Sequence, residues 1–222
     1  AAGAKAINLK DTARSTITNN SGGIIRSGTG SSISGETATV STITNSGTIY
    51  SDDEIALNFF STSTATVTNN SSGHIYNSNT NEAIKLDGSS TLTNSGKIEN
   101  KNSASNNSIR LVGNDNTIIL KDKGILVGTI DAGSTTGNTL KFQHGMGQGY
   151  YYKTSGDFAL QDLDGNQVVK GSAGSVGQGA SETLDELLSY KSINLRNFFN
   201  EYNKLDDQDA WGETYVSNLK RD

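Results

Sequence analysis

The nonapeptide STITNSGTI, residues 41–49, places a short alternating segment in front of an Asn-Ser-Gly step. Three related phrases surround it: STITNNSGGI from Ser15, ATVTNNSSGHI from Ala65 and STLTNSGKI from Ser90. Thr, Ile and Val favour strands, and Asn followed by Gly favours a tight turn. Repetition of one strand-and-turn unit at a regular interval predicts a repeat architecture.

The interval is measured between the apolar residues at the centres of the phrases. These residues are Ile17, Ile43, Val67 and Leu92, which are separated by 26, 24 and 25 residues. A further step of 26 reaches Ile118. A second, weaker phrase keeps a similar period, with central residues Ile7, Leu57, Ile84 and Ile109, and Ile33 in the gap after the first. Two series that advance together indicate internal repeats.

A period of about 25 residues, with short strands and no helical pattern between them, is typical of one coil of a parallel β-helix. The expected fold is all-β: a right-handed parallel β-helix of about 25 residues per coil, with equivalent residues of successive coils superposed. Coils stack at the strand spacing of about 4.8 Å, so about five or six coils would span roughly 25–30 Å.

The Asn-Ser-Gly steps are predicted to form the corners of the coil. Glycine would supply the positive φ of a tight turn, and the asparagine amides would stack as a ladder between coils. A polar binding stripe is the alternative role for these asparagines. The predicted corner residues are Asn19, Gly22, Asn45, Gly47, Asn69, Gly73, Asn94 and Gly96.

Composition excludes several classes of function. Hydrophobic residues make up 32% of the 222 residues, and the net charge of -5 comes from intermixed acidic and basic residues. No basic stripe suited to nucleic acid is present. The chain has no Cys and no Pro, which excludes disulfides and thiolate metal sites. No apolar run approaches the length of a membrane-spanning helix, so no such helix is expected.

The pattern changes after residue 127, which divides the chain into predicted domains. Residues 1–127 would form the coils, and residues 128–180 a hairpin-rich β cap that covers the open end of the solenoid. Its predicted core residues are Leu140, Phe142, Tyr151, Phe158 and Leu160. Residues 181–209 combine a linker with an amphipathic helix, and residues 210–222 alternate as an outer-membrane barrel strand does.

The order of these parts resembles the bacterial autotransporters of type V secretion. The resemblance is carried by the TNSG coils, by GYYYKTSGDFALQDLDG at 149–165, by the helix and by WGETYVSNLKRD at 211–222. It implies that 128–180 is an autochaperone, that the helix lies inside the barrel pore, and that 210–222 begins the translocator barrel.

For function, the resemblance implies a non-catalytic stalk and folding template of a passenger on the cell surface or secreted from it. Adhesion or bacterial self-aggregation would be its output, with a second copy, a host-surface receptor and its own C-terminal translocator barrel as partners. The alternative is a support for a serine protease or esterase domain located before Ala1.

No catalytic, cofactor or metal residue is predicted from the sequence. The two histidines, His74 and His144, are expected to be solvated side chains rather than ligands or bases. GMGQG at 145–149 lacks the spacing of a dinucleotide loop, and DLDGN at 162–166 is better explained as a turn than as a calcium loop. Because the arginines are scattered, the remaining alternative, a free polysaccharide lyase, has no visible acid–arginine cluster.

Overall fold

The structure is a computed structural model that describes residues 3–10, 14–37, 39–60, 62–121, 124–143, 150–162 and 172–173. These residues all belong to one compact unit that ends at Gly177. They form an all-β solenoid of parallel strands with about six turns and about 24 residues per turn. The parallel solenoid predicted from the sequence is therefore confirmed.

Three parallel sheets run along the solenoid, and each of the first five coils contributes one strand to each sheet in turn. Sheet A contains β1 (Ile7–Leu9), β4 (Ile33–Gly35), β7 (Leu57–Phe59), β10 (Ile84–Leu86), β13 (Asn107–Leu111), β16 (Thr129–Asp131) and β19 (Lys153–Ser155). Sheet B contains β2 (Arg14–Asn19), β5 (Val40–Asn45), β8 (Thr64–Asn69), β11 (Thr91–Asn94), β14 (Thr117–Lys121), β17 (Thr139–Gln143) and β20 (Ala159–Asp162). Sheet C contains β3 (Ile24–Ser27), β6 (Thr48–Ser51), β9 (His74–Asn77), β12 (Lys97–Asn100) and β15 (Ile125–Val127).

The strand registers superpose like residues of successive coils. The predicted sheet B column of Ile17, Ile43, Val67, Leu92 and Ile118 is confirmed, residue opposite residue. The predicted sheet A column is confirmed in the same way and includes Ile33. Sheet C supplies a third column that was not predicted: Ile25, Ile49, Ile75, Ile98 and Leu126.

These three columns meet inside the solenoid and form one hydrophobic core. Side chains alternate along each strand, so in a Thr-Ile-Thr segment the isoleucine points inward and the threonines point outward. From the second coil onward the inward residues of these columns are almost completely buried except Leu126, with Ile43, Ile49 and Leu57 fully inaccessible to solvent. In the first coil, Ile7, Ile17 and Ile25 are only partly buried.

Parallel pairing extends beyond residue 127, where the sequence pattern predicts the end of the coils. β16 and β19 continue sheet A, while β17 and β20 continue sheet B, because Leu140 and Leu160 occupy the inward positions that follow Ile118. Sheet C ends at β15 among the described strands, and these last steps between coils are shorter in sequence than the earlier ones. Sheets A and B therefore extend past residue 127.

One antiparallel pair is described in the region predicted to be a cap: β18 (Tyr150–Tyr151) with β21 (Ser172–Ala173). Leu140 and Phe142 are fully buried, Leu160 is 8% exposed, and Phe158 packs against the core. Tyr151 lies in β18. Most of the DLDGNQ turn, the predicted helix within 181–209 and the predicted strand at 210–222 lie outside the described residues.

Candidate functional site

The four predicted corner asparagines form a hydrogen-bonded ladder at the end of sheet B. The Nδ2 of Asn19 donates to Oδ1 of Asn45 (2.8 Å), Asn45 donates to Asn69 (2.9 Å), and Asn69 donates to Asn94 (2.9 Å). Each of the first three amides also donates to the carbonyl of a corner glycine, for example from Asn45 to Gly47 (3.1 Å). The ladder thus ties the first four coils to one another and closes the corner within each of the first three.

Burial decides between the two roles predicted for these asparagines. Asn19 is 6% exposed and the other three are fully buried, so they cannot form a polar binding stripe for an external partner. The ladder ends where Leu120 takes the position that follows Asn94, and Phe142 takes the next. Buried amides are stable here because each finds partners in the adjacent coil.

The role predicted for the corner glycines is wrong at three of the four positions. Gly22 has a positive φ of 78°, but Gly47, Gly73 and Gly96 do not. A Cβ on Gly47 would instead meet the carbonyl oxygen of Asn20 at 2.5 Å and that of Gly23 even closer. The glycines are required because the backbone of the preceding coil passes too close for a side chain.

The first coil also needs a corrected assignment. Gly23, not Gly22, precedes Ile24, which pairs with Thr48 after Gly47. Gly23 therefore belongs to the glycine column, whereas a Cβ on Gly22 would meet open space.

Positive φ angles occur instead in the connections from sheet A to sheet B. Thr37, Thr62, Ser89 and Asp115 have φ values of 56°, 66°, 56° and 60°, and Gly137 takes 72° in the next connection. Four side-chain-bearing residues thus adopt the conformation that was predicted for glycine at another corner. These positions were not predicted, because the first four of them carry no glycine.

Two further buried polar columns support the remaining corners. At the start of sheet B, Oδ1 of Asn138 accepts from the backbone and the amide of Asn116 (3.1 and 3.2 Å), and Asn116 accepts from the backbone of Ser90 (3.0 Å). At the end of sheet C, buried polar side chains line up as Ser27, Ser51, Asn77 and Asn100. Because these columns mix Ser and Asn, no single residue type repeats along them, and the sequence pattern does not predict them.

The outer face of sheet C carries the main cluster of aromatic and charged side chains. The rings of Tyr50 and Tyr76 stack with centroids 4.6 Å apart and planes 10° from parallel. The guanidinium of Arg26 lies 5.5 Å from the Tyr50 centroid, and Nζ of Lys101 lies 3.4 Å from the Tyr76 centroid. Cations next to aromatic rings are stabilised by the ring quadrupole, so these four side chains form a continuous stack along the solenoid.

Two groups of opposite charges flank this stack. Arg26 donates twice to Oδ2 of Asp52, at 3.0 and 2.6 Å. In the other group, Oε2 of Glu99 lies 3.0 Å from Nε2 of His74 and 2.7 Å from Nζ of Lys97. The face therefore carries both signs of charge within a few strands.

The environment of the second group shifts two pKa values. Burial lowers the pKa of His74 below its ordinary value, although the hydrogen bond with Glu99 opposes the change. Burial alone would raise the pKa of Glu99, but hydrogen bonds from Lys97 and His74 outweigh it and lower that pKa. At neutral pH the neutral His74 ring therefore donates Nε2–H to the Glu99 carboxylate.

Exposed apolar residues complete the face. Ile24 is 68% exposed and Ile125 is 52% exposed, and both belong to the outward column that continues through Thr48, His74 and Lys97. They lie in β3 and β15, the first and last described strands of the sheet. We call the set Ile24, Arg26, Tyr50, Asp52, His74, Tyr76, Lys97, Glu99, Lys101 and Ile125 the sheet C face.

The arginines considered for a polysaccharide lyase lie on different sheets. Arg14 lies on sheet B, Arg26 on sheet C and Arg110 on sheet A. His144 and the GMGQG loop lie outside the described residues. Among the described residues, no group of three or more His, Asp or Glu side chains is placed to hold a metal ion, and no helix is long and apolar enough to span a membrane.

A small cavity of about 140 Å³ opens near the C-terminal coils. Tyr152 contributes to its wall, is 4% exposed, and packs its ring 4.8 Å from that of Phe142. The cavity is smaller than the roughly 300–1,000 Å³ of typical ligand pockets. Its lining residues are Ala104, Leu126, Val127, Gly128, Tyr152 and Lys153.

Comparison with known proteins finds no matching family model, no matching curated protein and no matching solved structure. The assignment of a function therefore depends on the solenoid and on its outer faces.

Proposed function

We propose that this chain is a non-catalytic stalk and folding template of a surface-displayed or secreted autotransporter passenger, and that it self-associates. The observation that carries the proposal is the uninterrupted parallel stacking of coils tied together by a buried Asn ladder. Such a solenoid is extended by adding coils, each bonded mainly to its neighbours, which suits a rigid spacer.

A right-handed coil and a C-terminal cap belong to this proposal, as do the helical linker and the first barrel strand. The fully buried Leu140 and Phe142 give the C-terminal coils a large apolar core that supports early folding. Each folded coil then offers its strand edges to the preceding coil, so folding proceeds towards the N-terminus.

Self-association is assigned to the sheet C face. Tyr and Arg are enriched at protein interfaces, and a face with both signs of charge is able to pair with itself. When two copies pack face to face with opposite axial directions, Ile24 of one copy lies opposite Ile125 of the other. The two-fold axis that relates the copies then passes through the middle strand β9, which places the two Tyr76 side chains near each other.

The contact is small, because five strands span only about 19 Å at the usual strand spacing. Individual contacts of this size are weak. Many copies on one cell convert weak contacts into strong adhesion between cells through effective concentration. A host-surface receptor would be the alternative occupant of the same face.

The experiment displays the chain on Gram-negative cells by fusing its C-terminus to a heterologous translocator barrel. We expect external protease to remove the chain from intact cells, and the cells to settle faster than cells that carry the barrel alone. Ile24→Lys combined with Ile125→Lys should abolish settling while surface display persists. Val112→Lys is the matched control, since Val112 is 36% exposed and lies outside sheet C.

Absence of the chain from the cell surface would contradict the stalk assignment. Full display with settling that is unchanged by the double substitution would contradict the sheet C assignment. Binding of displayed cells to host cells without mutual settling would favour the receptor as the partner.

A further inference from the structure

Sheet B presents an outward face built mainly of threonine. In strands β2, β5, β8 and β11, the two outward positions on either side of the central apolar residue are threonine in all four coils. The registers align them in two columns: Thr16, Thr42, Thr66 and Thr91 in the first, and Thr18, Thr44, Thr68 and Thr93 in the second. The first column continues through Thr117 and Thr139.

The threonines face away from the core. The residues between them, such as Ile43 and Val67, are fully buried, so alternation directs the threonines outward. Thr16, Thr18, Thr42 and Thr66 are exposed, and the others are half-buried among their neighbours. Hydroxyl and methyl groups are therefore offered side by side along the face.

The spacing of these groups is set by the backbone. Neighbouring coils lie about 4.8 Å apart, and positions i and i+2 along a strand lie about 6.7 Å apart. Threonine is stiff at χ1, which keeps its hydroxyl and methyl in few positions. The second column immediately precedes the Asn ladder, whose side-chain hydrogen bonds hold successive coils together. The result is a rigid two-dimensional lattice.

The face is also nearly free of charge. In the outward positions of β2, β5, β8 and β11, Arg14 at the edge of the sheet is the one charged residue. Lys121 and Lys141 come later, in β14 and β17. A charged group orders water radially around itself, whereas a neutral periodic array orders water at its own spacing.

We propose that this threonine face binds ice. Oxygen repeats on prism surfaces of hexagonal ice lie close to both threonine spacings, so water held by the hydroxyl and methyl groups fits the ice lattice as well as the protein. The parallel register of the hydrogen-bonded coils keeps the array periodic. This inference is independent of the sheet C face and of the proposed display on cells.

The test uses the full 222-residue chain, labelled with a fluorophore, in growing ice and in a recrystallisation assay. We expect the chain to enter the ice and to slow recrystallisation. Thr66→Tyr, at the centre of the array, should reduce both effects at least tenfold. Thr48→Tyr, an equivalent outward change on sheet C, should leave both within about twofold, and circular dichroism should show the same β signal for all three proteins.

Two results would overturn the proposal: activity no greater than that of serum albumin at equal concentration, or equal activity of Thr66→Tyr and the unaltered chain. Powdered chitin and cellulose are included because their crystal surfaces also carry regular hydroxyl arrays. Binding to either powder that is lost in Thr66→Tyr, without an effect on ice, would likewise overturn the choice of ice.

Discussion

At the residue scale, the corner glycines show how one residue type meets two different demands. Gly22 needs a left-handed backbone and has open space around its Cα, whereas Gly47 has an ordinary φ and no space. The sequence motif is the same in both cases, since Asn-Ser-Gly marks a turn without stating why glycine is needed. Only the stacked neighbouring coil reveals the steric reason.

Substitution of Gly47 separates these two causes. We expect Gly47→Ala to lower the free energy of unfolding by about 1–3 kcal/mol, the usual cost of overpacking, because its Cβ meets backbone carbonyls that cannot move aside. Gly47→Val should cost more. The measurement is chemical denaturation followed by circular dichroism.

Two other glycines are matched controls. Gly22→Ala should cost about 1–2 kcal/mol from φ alone, and Gly28→Ala, which has neither a positive φ nor a close neighbour, should change stability little. A Gly47→Ala protein as stable as Gly28→Ala would show that the coils are not stacked as closely as described.

At the element scale, the Asn ladder holds neighbouring strands through side chains as well as through the backbone. Asn45 accepts from Asn19 and donates to Asn69, so it is a central rung, while Asn94 ends the ladder before Leu120. Leucine thus already occupies this column one coil later, and its size is tolerated there.

Asn45→Leu should lower the free energy of unfolding by about 1–3 kcal/mol, because the buried Oδ1 of Asn69 loses its donor, while Asn19 still donates to Gly23 and Thr48. Asn94→Leu should cost less, since Asn69 still donates to the carbonyls of Gly73 and Lys97, both at 3.2 Å. Equal losses for the two variants in urea denaturation would contradict the ladder as a cooperative support.

Sheet C is expected to make the stability of the solenoid sensitive to acid. The pKa of His74 in the folded chain lies below its ordinary value of 6.5, so the unfolded chain binds more protons as the pH falls below that value. Stability should therefore decrease as the pH falls from about 6.5 towards the folded-state pKa. The lowered pKa of Glu99 adds a loss of the same sign at more acidic pH.

The urea midpoint measured at pH 7.5 and at pH 5.5 tests this expectation. His74→Gln should reduce the difference between the two midpoints, whereas the substitution of the other histidine, His144→Gln, serves as the control. If both variants keep the full difference, His74 does not supply the acid sensitivity.

Sequence reasoning predicted the elements wherever like residues repeat. The columns of Ile17 and Ile7 follow from a period of about 25 residues, because stacked coils place equal positions together. The polar column at the ends of the sheet C strands was not predicted, because Ser51 and Asn77 occupy equivalent corners with different side chains. The sheet C face was not predicted either, since its residues, such as Tyr50 and Glu99, differ in type and give no repeat in the sequence.

At the scale of the whole molecule, the described coils differ in the number of residues per step. Sheets A and B continue to β19 and β20, while the steps from Ile118 to Leu140 and on to Leu160 become shorter. The sequence alone suggests that the coils end here, because the TNSG corner belongs to the connection between sheets B and C. The motif is last seen at 94–96, before β12, and LKDKG at 120–124 replaces it before β15.

The proposed direction of folding predicts that the same Leu→Ala substitution changes the kinetics differently in an N-terminal and in a C-terminal coil. Leu57→Ala and Leu140→Ala remove the same atoms from fully buried sites, and each should cost about 2–5 kcal/mol. If the C-terminal coils form the template, Leu140→Ala should slow refolding in proportion to its loss of stability. Leu57→Ala should mainly accelerate unfolding, because its coil joins after the transition state. Stopped-flow fluorescence in urea measures both rates, and the reverse assignment, slow refolding in Leu57→Ala alone, would place the folding nucleus in the N-terminal coils.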